Sequence, residues 1–348
     1  MSKKIVFLAA LFVAGTLNSG AFAWDHPGHM TTAAIAFDQI EGARPELIDH
    51  IGMLFLKHPD TAPFWVAANE AKGKERVRRM FIECARWPDD SKFTPRDMGA
   101  WHTARWAIIA EDAPAKVNEA AEARQGKPAG QALEALELHA AMLANPETSP
   151  SERALALCWV MHIVGDIHQP LHTSDLFSED FPTGNAAGAL SYVQDPLAPT
   201  TMPLHVLWDS NAMRVPTLEK VDGYAQEFMK KYPRSSFPEL EKQPFSTPGA
   251  FEQWAREGHQ VAIDWAYDID TTPDPAKDQS SEELVANVVN FILNGVSPVE
   301  EAPEVPAEYW QKLQLTAEQR ITLAGYRIAD IIIASADNIE AQRKFIGR

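Results

Sequence analysis

Between Met161 and His172 the chain reads MHIVGDIHQPLH, placing His162, Asp166, His168 and His172 in one short stretch. His162 and Asp166 are four residues apart, so on a helix imidazole and carboxylate share a face and can reach one cation. His172 follows the break at Gln169-Pro170 and can point to a second ion. The segment from Leu204 to Asp209, LHVLWD, repeats the His-x3-Asp spacing with His205 and Asp209. A single pair of this kind is more often a surface contact or a satisfied core histidine. Two pairs with His172, set among apolar neighbours, favour metal binding, because coordination relieves the cost of burying a charge. Neutral imidazole with carboxylate is a sound donor set for zinc. Upstream, Trp24-Asp25-His26-Pro27-Gly28-His29, Asp89-Asp90 and Trp101-His102 add further donors that are weak signals singly.

The chain has 348 residues and a formal charge of -17. Such a surface repels long polyanions, so an anionic substrate needs a local attractor, and bound metal supplies one. With 45% hydrophobic residues the chain can bury a sizeable core. Its two cysteines, Cys84 and Cys158, fit one disulfide or two buried thiols equally well, and two do not make a thiolate zinc site.

The start of the chain has the three parts of a secretory signal peptide over residues 1–23: Lys3-Lys4, an apolar run from Ile5, and Ala21-Phe22-Ala23. Cleavage after Ala23 leaves Trp24 first and takes the charge to -19 by removing Lys3 and Lys4. The expected location is periplasmic or secreted. The apolar run is too short to span a bilayer, and no membrane span or stable protein partner is expected.

The elements that must position these donors are helical, and alternating β-branched runs are scarce. Ser149-Pro150-Ser151-Glu152 forms a capping box opening a helix to about His168. Ser280 with Glu283 caps another that stops near Gly295, and Thr247-Pro248 opens one through Trp254, Val261 and Trp265. A last helix from about Ala317 to Phe345 carries Ile321, Ala324, Ile328, Ile331 and Ile332 on one face. Long irregular segments are expected over Leu176–Pro203 and Ser297–Glu308. Because the donors come from distant segments and must converge, the expected fold is all-α, one compact helical domain over residues 24–348.

Together the donor segments, in order from Trp24 to Asp209 and with GDIHQPLH as the most specific, resemble the trinuclear-zinc nucleases of the S1/P1 type. That family comprises single-strand nucleases and 3'-nucleotidases and shares its helical fold with the zinc phospholipases C. The resemblance implies three zinc ions. Trp24, through its α-amino group and carbonyl, would join His29 on one ion. Asp89, His102 and His162 would hold a second, with Asp166 bridging the two, and His172, His205 and Asp209 would hold the third. Three divalent ions against three carboxylates leave a site of about +3 in an acidic protein. Lys92 falls where the family has a cation near the phosphate. The implied substrates are single-stranded DNA or RNA and nucleotides.

Two positions depart from the family pattern. Arg105 stands three residues after His102, where the family has Asp or Asn close to the attacking water. The Gly-Gly-Asn signature of the nucleotide pocket aligns with Ala187-Gly188-Ala189, and Asn185 is out of register. A missing amide should weaken discrimination between bases. A phospholipase C reading is the alternative, disfavoured because its last ligand tends to be Glu where this chain has Asp209; a zinc-binding homologue without activity comes third. His168 is expected to bond backbone, Trp87, Trp101 and Trp208 to form wall and core, and His26, His50, His58, His139 and His259 to have no role.

Overall fold

The computed structural model describes residues 24–92, 94–111, 113–210, 213, 217–275 and 296–345. Its helices are α1 (His26–Ala43), α2 (Leu47–Phe55), α3 (Ala62–Ala68), α4 (Gly73–Asp90), α5 (Ala115–Gly126), α6 (Ala132–Ala144), α7 (Pro150–Asp166), α8 (Leu204–Ser210), α9 (Leu218–Lys231), α10 (Glu239–Lys242), α11 (Ala250–Val261) and α12 (Ala307–Phe345). The all-α expectation holds. Short strands β1 (Trp106–Ile109) and β2 (Ser174–Phe177) pair in parallel, Trp106 opposite Ser174. Strand β3 (Ser191–Gln194) pairs antiparallel with β4 (Thr201–Pro203) and β5 (Thr272–Pro273).

Local chemistry sets the helix starts. At α7, Ser149 Oγ accepts from the Glu152 amide at 3.3 Å and the Glu152 carboxylate accepts from the Ser149 amide at 3.1 Å, the expected capping box. At α1, the Asp25 carboxylate accepts from the Gly28 amide and Pro27 occupies the first turn. Helix α1 packs on α4, α7, α9 and α12, and its run Ala33-Ala34-Ile35-Ala36-Phe37 is wholly buried. Over this run the helix is covered on all sides and shows no polar face.

Several boundaries differ from expectation. Helix α12 starts at Ala307, ten residues before Ala317, because Tyr309 and Leu313 continue the buried i, i+4 row backward from Ala317. Helix α11 starts at Ala250 behind a left-handed Gly249, and Trp265 sits in a π-turn, Ala262–Ala266, that continues it. The segment expected to be irregular from Leu176 to Pro203 contains β3, β4 and the end of β2. The helix expected between Ser280 and Gly295, and residues 1–23, lie outside the described residues.

A disulfide joins Cys84 on α4 to Cys158 on α7, deciding between the two readings of the cysteines. It ties together the helices carrying Asp89 and the His162/Asp166 pair. Closing a loop over a separation of 74 residues restricts the unfolded chain by about 4 kcal/mol. The largest apolar cluster spans Trp24, α1, α4, α7 and α12; a second gathers Leu171, Leu207, Trp208 and Tyr309. Among the described residues no helix is long and apolar enough to cross a membrane.

Candidate metal centre

Helix α1 presents His29, the last turn of α4 presents Asp89, and the inner face of α7 presents His162 and Asp166. A 3-10 turn, Gly99–His102, delivers His102. All five side chains are buried. Asp166 Oδ1 lies 3.2 Å from His29 Nε2, and Oδ2 lies 3.2 Å from His102 Nδ1 and 3.4 Å from His162 Nε2. Asp89 Oδ1 is 3.7 Å from His162 Nε2 and 3.9 Å from His102 Nδ1. The donor atoms interleave into two overlapping groups, His29/Asp89/His162 and His102/His162/Asp166. The five side chains are thus brought together, and the two groups share His162, where the resemblance assigns His29 and His162 to different ions.

Backbone geometry makes this packing possible. A Cβ on Gly165 would stand 2.8 Å from His29 Nδ1, so only glycine lets the His29 ring lie against α7. Pro88 removes a donor from the last turn of α4. Nearby, the Ala85 carbonyl accepts from His162 Nδ1 at 2.7 Å, which leaves Nε2 facing the carboxylates.

A second locus is built from a 3-10 turn, Pro170–Thr173, and from α8. His172 Nε2 is 3.7 Å and His205 Nε2 3.2 Å from the Asp209 carboxylate. The other ring nitrogens contact carbonyls, His172 Nδ1 that of His102 at 2.7 Å and His205 Nδ1 that of Ala187 at 2.8 Å. Gln169 Nε2 donates to Asp209 Oδ1 at 2.7 Å. Gln169 belongs to the visible motif but reads there only as the residue before a helix-ending proline; its role as an orienting donor was missed.

The electrostatics are those of a site short of positive charge. Burial holds His29 and His102 well below the usual imidazole range and brings His162 to about 4. Burial and the neighbouring Asp89 push Asp166 well above the carboxylate range. Burial also opposes ionisation of Asp89, but Lys92 and His162 outweigh it and hold its carboxyl below the usual value. Lys92 Nζ lies 2.6 Å from Asp89 Oδ1. Arg105 is buried, its backbone bridged to Ala129, and its charge acts on Tyr267 beside Asn185. Asn185 spends its side chain on the loop itself, accepting from the Leu176 and Gly188 amides. Ala187 and Ala189 are buried.

His168 bonds backbone as expected, its Nδ1 2.7 Å from the Val164 carbonyl. Its Nε2 meets Arg327 Nη1 at 2.7 Å, and Arg327 forks onto Glu257 at 2.7 and 2.8 Å. Arg320 completes this buried network on Glu257 and the His168 carbonyl. The sequence signal for it was two arginines seven apart on the apolar face of α12. Trp87 and Trp208 are fully buried core, and Trp101 packs against the core as a wall. His26 contacts Asp90, His58 the backbone of Asp60, and His259 the Ser174 hydroxyl, all outside the donor groups.

Cations fit this arrangement. Both oxygens of Asp166 and both ring nitrogens of His29 are buried without a hydrogen bond of proper geometry. Such atoms are rare in native interiors unless an ion or water completes them. Imidazole and carboxylate donors, with backbone carbonyls fixing the rings, match the ligand chemistry of zinc.

The family described as S1/P1 Nuclease matches residues 24–337. The chain is 26% identical to "Nuclease S1" of Aspergillus oryzae over 250 residues, covering 70% of this chain and 75% of that protein. It is 29% identical to "Endonuclease 2" of Arabidopsis thaliana over 130 residues, covering 36% of this chain and 42% of that one.

Proposed function

Because the chain belongs to the S1/P1 nuclease family, we propose that this phosphodiester hydrolase is an exported zinc enzyme acting on single-stranded nucleic acids and on 3'-phosphates of nucleotides. Three zinc ions are the proposed complement. Trp24 and His29 would serve one, Asp89, His102 and His162 another with Asp166 shared between them, and His172, His205 and Asp209 the third. Asp166 is the observation that carries this reading: a fully buried carboxylate has imidazoles of three different elements around its two oxygens. Zinc in such a setting acidifies water and stabilises charge on phosphate oxygens.

The chain's own residues do the positioning. The carbonyls of Ala85, His102 and Ala187 hold His162, His172 and His205 with Nε2 directed at the carboxylates. Lys92, paired with Asp89, offers a cation to a phosphate oxygen at the edge of the same cluster. Arg105 is proposed as a second phosphate contact, three residues beyond His102. The departures at Ala187-Gly188-Ala189 favour weak base discrimination. Residues 24–348 are read as one domain, supported by an apolar cluster running from Trp24 to Ile332. Export is supported by the signal-like start and by the Cys84–Cys158 disulfide.

The test is a side-by-side assay of the purified protein, with Trp24 confirmed by N-terminal sequencing and zinc content measured. Hydrolysis of single-stranded DNA, RNA and a 3'-mononucleotide is expected. Hydrolysis of phosphatidylcholine alone would overturn the nucleic-acid reading, and inactivity on every substrate with zinc fully loaded would overturn catalysis.

A further inference from the structure

The loop after β2 is unusual in its backbone. Ala186, Ala187 and Gly188 follow one another at φ 52°, 61° and 86°, with Gly184 at φ 96°. Left-handed conformation is unfavourable for a residue with a Cβ, so consecutive alanines there must be held by their surroundings. One such residue meets the metal centre: the Ala187 carbonyl is the group on His205 Nδ1, 2.8 Å away.

Asp175 on β2 holds this loop from behind. Its side chain is 3% exposed, and Oδ1 accepts from the Ala187 amide at 3.2 Å. The partly exposed Arg124 lies 3.4 Å from Oδ2. A Cβ on Gly184 would stand 2.8 Å from the carboxyl carbon, so a glycine lets the loop close over the carboxylate. Asn185 fixes the flank through the Leu176 and Gly188 amides. Burying a carboxylate is costly; here a backbone amide and the partly exposed Arg124 guanidinium offset the cost, and the visible effect of the amide contact is to fix the backbone of Ala187.

We propose that Asp175 is a positioning residue for the His172/His205/Asp209 site, pinning the left-handed loop whose Ala187 carbonyl sets the tautomer and aim of His205. This rests on the metal reading above. Orientation of a ligating histidine by a carbonyl commonly carries a 10- to 100-fold effect on metal affinity, and Asp175 acts one contact further out.

The experiment loads the mature protein with cadmium-113 and counts resonances while a competing chelator is titrated in. Wild type should give three; fewer than three would overturn the metal reading itself, independently of Asp175. Asp175→Ala should shift one resonance and weaken that ion about tenfold, leaving the other two unchanged. Asp175→Asn, which keeps an oxygen for the Ala187 amide, should stay within about threefold of wild type. Should Asp175→Ala not fold, Gly184→Ala, which drives a methyl against the carboxylate, should weaken the same ion. Unchanged affinity for all three ions in the folded variants, equal loss of all three, or an Asn variant as damaged as the Ala variant would overturn the positioning role.

Discussion

Asp166 Oδ1 lies 3.2 Å from His29 Nε2, joining α7 to α1 through two side chains with no solvent exposure. The other oxygen of the same carboxylate faces His102 and His162. A shared ligand of this kind should fail for both neighbours at once. Asp166→Asn is therefore expected to lose two zinc ions and keep the third. Hydrolysis of single-stranded DNA should fall by more than the roughly 100-fold typical of an outer-shell change. Elemental analysis beside the activity assay decides it: retention of all three ions would show that Asp166 does not bridge.

Trp24 is buried against Gly28, and the next residue, Asp25, donates its amide to the Asp209 carbonyl at 3.2 Å. Trp24 is thereby anchored between the two donor loci. If the proposed mature chain starts at Trp24, adding one glycine before it would convert its amine to an amide and remove the proposed ligand. The extended protein should bind one ion fewer, as read by native mass spectrometry, with an unchanged helical spectrum. Full metal content in the extended form would remove the α-amino group from the ligand set.

Lys92 and Arg105 are proposed as the phosphate cations. A charge-assisted hydrogen bond contributes about 1.5–3 kcal/mol, so Lys92→Met and Arg105→Met should each lower kcat/KM about 10- to 100-fold with zinc content intact. Lys92 has a second effect, because it holds Asp89 in its charged form. The Lys92 variant should therefore also lose its metals at a higher pH than wild type on acidification. Zinc-release curves for the two variants separate the roles.

What was legible in the sequence was local. His162 with Asp166 and His205 with Asp209 are repeats of one helical spacing, and the capping box at Ser149 fixes the helix that carries the first pair. His102 could be placed only by resemblance, because a lone imidazole on a 3-10 turn has no periodicity to mark it. Arg320 and Arg327 show in the sequence only as two charges on an apolar helix face; the partner His168 is 159 residues from Arg327, and the contact arises only when α12 packs beneath α7. The left-handed alanines at 186 and 187 were hidden for the same reason: tertiary contacts override a residue type that does not choose that conformation.

Arg327 is nearly inaccessible and serves both His168 and Glu257. Arg327→Met leaves Glu257 with Arg320 alone and His168 Nε2 without its donor. Breaking a buried pair from one side costs about 3–5 kcal/mol, more than losing the pair together. The single variant should show that loss in urea unfolding, and adding Glu257→Gln should recover part of it. A double variant no more stable than the single one would show that the charge on Glu257 is not what makes Arg327 necessary.

The stability of the metal-free protein should fall on acidification, with a slope that identifies its cause. His139 lies against Trp101 and Trp159 with neither ring nitrogen hydrogen-bonded, and burial lowers its pKa to about 4. Burial also brings His58 and His259 to about 4. Unfolded, each ionises near 6.5. Between those values the unfolded chain holds a proton that the folded one excludes. The stability each neutral histidine contributes is thus complete above about pH 6.5 and is lost as pH falls toward 4. Glu83 acts in the opposite sense: burial raises it to about 7, so the folded state gains as pH drops below that value. His29, His102 and His162, also lowered by burial, act in the same sense as these histidines, and Asp166 in the same sense as Glu83. The histidines still leave acid destabilising, by roughly 1.4 kcal/mol per pH unit for each uncompensated proton. His139→Phe keeps an aromatic ring among the tryptophans and removes one of these protons. Urea unfolding in chelator from about pH 5 to 6.5 should give the variant a slope shallower by about 1 kcal/mol per pH unit. An unchanged slope would mean that His139 takes up its proton in the folded protein.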